Sequence, residues 1–193
     1  MTAAILLAGG LASRLGGVDK PLLEVDGRSL LARALDAAAS CAPVVVVGPP
    51  RPGVEGVVWV REEPEYGGPV AAVAAALPHV DAESVLVLAT DLPRVEEAVR
   101  VLDDAAALLP PGDGVCLADE SGRPQWLVGR YRTRALRERA ERIPVSGASF
   151  RELIAELSIS VVRAHEGVVA DVDTWQDLER ARGEGRHHDR DHH

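Results

Sequence analysis

Four short runs, Ala3–Ala8, Val44–Val47, Val57–Val60 and Val85–Ala89, are apolar at essentially every position. A strand with one wet face alternates polar and apolar residues; a strand without alternation has both faces covered. Helical patterns lie between the runs, at Leu30–Ala39 with Ser29 as a candidate cap and at Pro69–Leu77. Strand, helix and strand in alternation, joined by right-handed crossovers, predict an α/β fold: a three-layer, doubly wound, mostly parallel sheet.

The second half of the chain is less regular. Gly114–Ala118 and Gln125–Tyr131 read as strands paired around the turn Glu120-Ser121-Gly122. Helical patterns follow at Thr133–Arg142 and Phe150–Leu157, and Val161–Val172 holds short strand-like pieces. A last helix is expected over Thr174–Arg182, with Thr174 and Asp177 at capping-box spacing. No internal repeat or long linker divides the chain, so one domain is expected over residues 1–183. Residues 184–193, GEGRHHDRDHH with its first residue removed, form a polar tail expected to be disordered.

Composition narrows the function classes. Aromatic residues are 3% of the chain, so the core must be built from Val, Leu and Ala. A formal net charge of −9 argues against a nucleic-acid binder, which carries a basic footprint. No segment approaches the roughly 20 apolar residues of a membrane span, and the short apolar N-terminus lacks the basic flank of a signal peptide. Cys41 and Cys116 form no CxxC pair and read as buried thiols of a reducing compartment. A cytoplasmic location is the expectation.

The first apolar run opens into Leu7-Ala8-Gly9-Gly10-Leu11-Ala12-Ser13-Arg14-Leu15-Gly16-Gly17-Val18-Asp19-Lys20. This segment follows a strand at its carboxyl end, where open α/β sheets place their ligands. It fits neither a Walker loop, G-x-x-x-x-G-K-[ST], nor a dinucleotide fingerprint, G-x-G-x-x-G. Gly9 and Gly10 let the backbone approach a ligand and aim amide donors at phosphate oxygens. Arg14 offers a planar fork for two oxygens, and Lys20 a compact charge. Lys20 is also the only lysine among 21 Lys and Arg residues. Together the two cations suit a triphosphate whose leaving group gains charge. The competing reading is a tight strand-to-helix turn with two solvated cations.

Leu7-Ala8-Gly9-Gly10, Arg14, Gly16, Asp19 and Lys20 resemble the signature loop of the MobA-type nucleotidyltransferases, the molybdenum cofactor guanylyltransferase family. Further pieces follow in the family's order. Tyr66-Gly67-Gly68-Pro69-Val70 resembles its G-P segment opening a helix, and Thr90-Asp91-Leu92-Pro93 its D-x-P motif. Gly122-Arg123-Pro124-Gln125-Trp126 matches its G/D-x-P segment, and Asp171-Val172-Asp173-Thr174 its late D/N-V-N/D-T motif. The resemblance covers residues 3–182 and implies the family's Rossmann-like nucleotidyltransferase fold.

Asp91 follows the fourth apolar run and should project from the strand end into the same crevice as the loop. A carboxylate there suits Mg²⁺, which takes one or two protein oxygens plus substrate phosphates. The alternative is an Asp capping the helix that begins near Pro93. The resemblance implies Asp173 as a second Mg²⁺ ligand, with Asp171 as its rival and helix capping as a competing role. It also implies that the Leu7-Ala8-Gly9-Gly10 backbone lies against the nucleotide. An acidic residue before the G-P segment contacts nucleotide in the family; Glu63 takes that place, with Glu62 and Glu65 close enough for the register to slip. A family asparagine after the second strand is replaced by Gly48.

The implied activity is Mg²⁺-dependent transfer of GMP from GTP to molybdopterin, giving the guanine dinucleotide and pyrophosphate. Arg14, Lys20 and Asp91 are the expected catalytic residues. Leu7, Ala8, Gly9, Gly10, Lys20, Glu63 and Asp91 are the expected nucleotide contacts. Gln125, Trp126, Arg142, Ser146, Ser149 and Arg151 are the candidate contacts for the pterin substrate, against the plainer reading of core and solvated residues. Molybdoenzyme maturation proteins stand as further partners, and neither nucleic acid nor membrane is expected. Alternatives are a relative using CTP with molybdopterin or an NTP with a sugar phosphate, and a nucleotide-binding maturation factor without turnover. His79 and His165 are isolated, and the tail histidines lack the supporting shell of a built metal site.

Overall fold

The computed structural model describes residues 1–9 and 17–188, with backbone alone for 184–188. Arg14 and Gly10, and the tail beyond His188, lie outside the described residues.

The four apolar runs form the expected strands: β1 Thr2–Leu7, β4 Val44–Val47, β5 Val58–Val60 and β6 Ser84–Ala89. Between β1 and β4 lie a 3-10 turn at Lys20–Leu22, the two-residue strands β2 Glu24–Val25 and β3 Arg28–Ser29, and helix α1 Leu30–Ala37. Ser29 caps α1 as expected, its Oγ accepting from the Ala32 N–H at 3.1 Å. Helix α2 spans Pro69–Ala76, and a 14-residue helix, α3, spans Val95–Leu108. Strands β7 Gly114–Ala118 and β8 Pro124–Arg132 pair antiparallel around the 120–122 turn, as expected. Helices α4 Thr133–Ala140 and α5 Phe150–Ile154, strand β9 Ile159–Arg163 and helix α6 Trp175–His188 complete the chain.

Seven strands make one sheet in the order β5-β4-β1-β6-β8-β7-β9. β5, β4, β1 and β6 run parallel, β8 runs antiparallel to both its neighbours, and β9 is parallel to β7. Successive strand residues enter opposite cores, which is why the runs do not alternate in polarity. Ala4, Leu6, Val46, Leu86 and Leu88 pack with Leu31 and Ala34 of α1 and Ala98 and Leu102 of α3. Ala3, Ile5, Val45, Val85 and Val87 pack on the other side with Val70 and Val73 of α2, Leu136 of α4 and Phe150 of α5. The result is the three-layer, mostly parallel sheet that the sequence predicts.

Helix α3 and the β2–β3 hairpin are additional to the expected set; for α3 the sequence predicts only a helix that begins near Pro93. The β2–β3 hairpin turns through Asp26 and Gly27, both at positive φ, 51° and 75°. Both central residues at positive φ is the geometry Asp-Gly favours in a two-residue hairpin. α6 runs to His188, past the Arg182 end expected from the sequence. Among the described residues no helix is long and apolar enough to cross a membrane. Cys41 and Cys116 are free and buried, as expected.

The chain leaves β1 toward β4 and β5 on one side and returns to β6 on the other. The crevice between the carboxyl ends of β1 and β6 is therefore the switch point, where such sheets bind ligands.

Candidate active site

Two hydrogen bonds lock the crevice walls together. Leu7, the last residue of β1, accepts from the Thr90 N–H at 3.2 Å and the Thr90 hydroxyl at 2.9 Å. Thr90 is 4% exposed, so its hydroxyl has no water to turn to, and this bond satisfies it. Asp91 follows directly and is carried to the mouth of the crevice. α3 begins only at Val95, with Arg94 as its N-cap residue, so Asp91 is not spent on capping that helix.

The late motif arrives by a backbone bond. Val172 donates its N–H to the Asp91 carbonyl at 3.0 Å, and its side chain is buried with Leu23, Val25, Leu30 and Leu178. Asp171 and Asp173 flank this anchor. One carboxylate oxygen from each of Asp91, Asp171 and Asp173 lies within 4.8 Å of the others. Asp173 is not the helix cap: Thr174 Oγ1 accepts from the Asp177 N–H at 3.2 Å, while Asp177 Oδ2 accepts from the Thr174 N–H at 2.8 Å. That reciprocal pair is a capping box, and it leaves Asp173 to the crevice.

Lys20 enters from the other side. It opens the 3-10 turn, with Pro21 buried behind it. Its Nζ donates to Asp91 Oδ2 at 2.9 Å and to Asp173 Oδ1 at 2.7 Å. The lysine side chain is 17% exposed, against 25% for Asp91 and 47% for Asp173. Desolvation lowers the Lys20 pKa, yet the charges and hydrogen bonds of Asp91 and Asp173 together outweigh it and hold the ammonium above its usual value. Asp171 is exposed as a residue, but its carboxyl is partly desolvated. That desolvation, then the charges of Asp91 and Asp173, raise its pKa, with Lys20 opposing. Three carboxylates facing one ammonium leave surplus negative charge in a small space. Hard oxygen donors in surplus fit a divalent cation of the Mg²⁺ type.

The loop's first residues are held tightly. The Ala8 N–H donates to the Val47 carbonyl at 2.9 Å, and Gly48 lies against the Ala8-Gly9 backbone. A Cβ at Gly48 would sit 2.9 Å from the Ala8 carbonyl oxygen and 3.0 Å from its carbon, at a φ of +145°. With the backbone as it lies, a side chain at this position would be crowded and strained, so glycine suits the close approach to Ala8. Of the neighbouring glutamates, Glu62 is the one beside the loop: its Oε1 would lie 3.8 Å from a Cβ on Gly9. Glu63 is exposed, and Glu65 pairs with Arg61 at 3.6 Å. Arg51 also reaches the loop, donating to the Ala8 carbonyl at 2.9 Å and to Asp19. Nothing in the sequence singled it out, since a lone Arg after Pro49-Pro50 reads as solvated.

The structure thus brings together Leu7, Ala8, Gly9, Lys20, Asp91 and Asp173, joins to them the alternatives Asp171 and, in place of Glu63, Glu62, and adds Arg51. The suggested pterin-side residues divide. Ser149 caps α5 in a capping box with Glu152, and Trp126 is half-buried against the core. Gln125 donates to Asp119 at 3.4 Å, while Arg142, Ser146 and Arg151 are exposed. The Gly147 N–H donates to the Gly67 carbonyl at 3.1 Å, so the 142–149 segment docks on the start of α2.

The MobA-like NTP transferase domain matches residues 4–185. The chain belongs to that family. It is therefore a nucleotidyltransferase, as the loop and carboxylate motifs implied. A probable molybdenum cofactor guanylyltransferase of Trichormus variabilis is 36% identical over 191 residues, covering 94% of this chain and 90% of that protein. Among solved structures, molybdopterin-guanine dinucleotide biosynthesis protein A from Archaeoglobus fulgidus superposes with a TM-score of 0.72 at 20% identity, over 97% of this chain and 100% of that one. A 2-C-methyl-D-erythritol 4-phosphate cytidylyltransferase from Thermus thermophilus gives 0.70 at 24% identity, over 96% and 100%. At those identities the two structures establish the shared Rossmann-like fold of this MobA-like chain.

Proposed function

We propose that this chain transfers GMP from GTP to the terminal phosphate of molybdopterin, yielding molybdopterin guanine dinucleotide and pyrophosphate. The observation that carries the reading is Lys20 Nζ set between Asp91 and Asp173 at the switch point of the sheet. A phosphate oxygen of the acceptor attacks the α-phosphorus, the bond to the bridging β-phosphate oxygen breaks, and pyrophosphate departs with the electron pair. An acceptor phosphate is already an anion at neutral pH, so positioning and charge neutralisation carry the catalysis. Lys20 faces the triphosphate and offsets the negative charge that grows on the leaving group. Arg14 is assigned the same task from its place in the loop motif.

Asp91, Asp173 and Asp171 are the residues that would hold Mg²⁺, and their clustered oxygens support that assignment. When bound, the ion neutralises phosphate charge and polarises the α-phosphoryl group. Leu7, Ala8 and Gly9 supply backbone to the nucleotide, and Gly10 is assigned there from the motif. Guanine presents N1–H and N2–H donors, and we assign the Glu62 carboxylate, which lies beside Gly9, as their acceptor; Glu63, exposed, is the less favoured choice. The close relatives named for molybdenum cofactor guanylyl transfer support the same base. A cytoplasmic location belongs to this reading, in keeping with two buried free thiols.

The test is incubation with Mg²⁺, molybdopterin and each NTP in turn, with pyrophosphate and dinucleotide both measured. Product with GTP alone is the expected result. Product with CTP would retain the mechanism and overturn the base. No product with any NTP, using folded protein and intact molybdopterin, would overturn the acceptor.

A further inference from the structure

Residues 9–19 connect the end of β1 to Lys20. For Lys20 to meet the same carboxylates in every molecule, that connection has to be held at both ends. A single side chain holds both. Arg51 Nη2 donates to the Ala8 carbonyl at 2.9 Å, the residue just before Gly9. The same guanidinium grips Asp19, the residue just before Lys20, through Nε to Oδ2 at 2.8 Å and Nη2 to Oδ1 at 2.6 Å. Nη1 completes the set on the Pro49 carbonyl at 3.2 Å. Arg51 is 7% exposed, whereas the Asp19 side chain is 42% exposed. The buried partner is therefore the fixed one, and the loop is fastened to it.

A planar fork is needed for this. Arg presents five donors in fixed directions and takes a carboxylate bidentately while another N–H reaches a carbonyl. A lysine ammonium in the same place satisfies fewer acceptors and fixes no orientation. Burial calls for a counter-charge on the guanidinium, and the carboxylate that supplies it belongs to the residue adjoining Lys20.

We infer that Arg51 is a positioning residue for nucleotidyl transfer: it ties Ala8 to Asp19 and so presets Lys20 for the triphosphate. This rests on the reading of the loop as the nucleotide site. Arg51 acts through Lys20 and the loop and takes no part in the chemistry itself.

The test compares wild type with Arg51→Lys, Arg51→Met, Asp19→Asn, Lys20→Ala and the Lys20→Ala/Arg51→Lys double variant. GTP affinity is read by calorimetry with Mg²⁺, kcat/KM with molybdopterin, and local order by amide exchange. Displacing catalytic groups by about 1 Å costs on the order of a hundredfold, so a loss of about tenfold or more in kcat/KM is expected for Arg51→Lys and Asp19→Asn. Exchange should rise at residues 17–23 and stay unchanged in β4 and β6. In the Lys20→Ala background the further effect of Arg51→Lys should shrink below about threefold, because coupled groups do not add. Wild-type values in Arg51→Lys and Asp19→Asn would overturn the inference, as would full additivity with Lys20→Ala. Faster exchange throughout the sheet would reduce Arg51 to a stability role, and overturn it too. If Arg51→Met fails to fold, the Arg51→Lys and Asp19→Asn results decide alone. Wild type that binds no NTP would instead overturn the nucleotidyl-transfer reading itself, a failure visible before any variant is made.

Discussion

The Val172 N–H donates to the Asp91 carbonyl at 3.0 Å, joining two segments 81 positions apart in the chain. Asp171 and Asp173 reach Asp91 because Val172 is pinned between them, its side chain sealed in a small apolar cluster with Leu23 and Leu178. That cluster also contains Val25 and Leu30, so the segment after Lys20 and the late motif share one anchor. Lys20 and Asp173 are thereby brought together from opposite ends of the chain.

Asp91→Ala is expected to abolish turnover with the fold intact. The side chain is partly exposed and caps no helix, so its loss removes little packing. A fall of at least about a hundredfold in kcat, roughly 2.7 kcal/mol of transition-state stabilisation, should accompany a nearly unchanged melting temperature. Wild-type rates at saturating Mg²⁺ would remove Asp91 from the mechanism.

Lys20→Ala is expected to lose at least about tenfold in kcat/KM, near 1.4 kcal/mol. With the ammonium gone, Asp91, Asp171 and Asp173 face each other without their neutralising neighbour. Raising Mg²⁺ should recover little of that loss if the lysine acts on the triphosphate. Full recovery would assign it to balancing carboxylate charge alone.

Mg²⁺ titration separates the three carboxylates. Calorimetry in the presence of GTP should show affinity weakened by about tenfold or more in Asp91→Asn, Asp173→Asn and Asp171→Asn, since each removes a charged oxygen donor from the cluster. An Asp171→Asn protein with wild-type affinity would confine the ligand set to Asp91 and Asp173.

Gly48→Ala should damage the loop from behind. The added carbon meets backbone atoms of Ala8 at about van der Waals overlap, and backbone cannot swing aside as a side chain does. A strained position of this kind costs about 1–3 kcal/mol. Denaturant unfolding should report that loss, and GTP affinity should fall with it. Unchanged stability would mean that the Ala8-Gly9 backbone relaxes freely.

Alkaline pH should destabilise the protein through its buried acids, among which both thiols, Cys41 and Cys116, are pushed up by burial. Burial pushes Cys116 up to about 12, because the thiolate is penalised inside the sheet. Its folded pKa is raised, so the stabilising contribution is complete below the unfolded value near 9 and is lost as pH rises toward 12. Tyr131 shifts in the same direction, first by burial and then through Cys116. Urea midpoints should fall between pH 9 and pH 11, and fall less steeply in Cys116→Ala. Equal slopes in the two proteins would clear Cys116 of the effect.

Much of the architecture was legible along the chain. Val44–Val47 and the strand within Val85–Ala89 lie where the apolar runs put them, because strands buried on both faces cannot tolerate polar positions. Ser29 and Thr174 cap their helices because a short hydroxyl side chain beside an unpaired N–H is a local matter. Asp26-Gly27 was legible in principle as well, a hairpin turn whose dipeptide states its geometry. The loop motif, with Lys20 and the Asp91 and Asp173 motifs, pointed to nucleotidyl transfer before any coordinates. The choice of Glu62 over Glu63 beside Gly9 needed the path of the chain after β5, since adjacent glutamates look alike in a string of letters. The grip of Arg51 on Asp19 depends on two loops meeting across β1 and β4, and no spacing rule encodes it. Local chemistry, which depends on neighbours in sequence, was set by the sequence alone. The convergence of charges was decided by tertiary packing, because an electrostatic contact depends on distance through space.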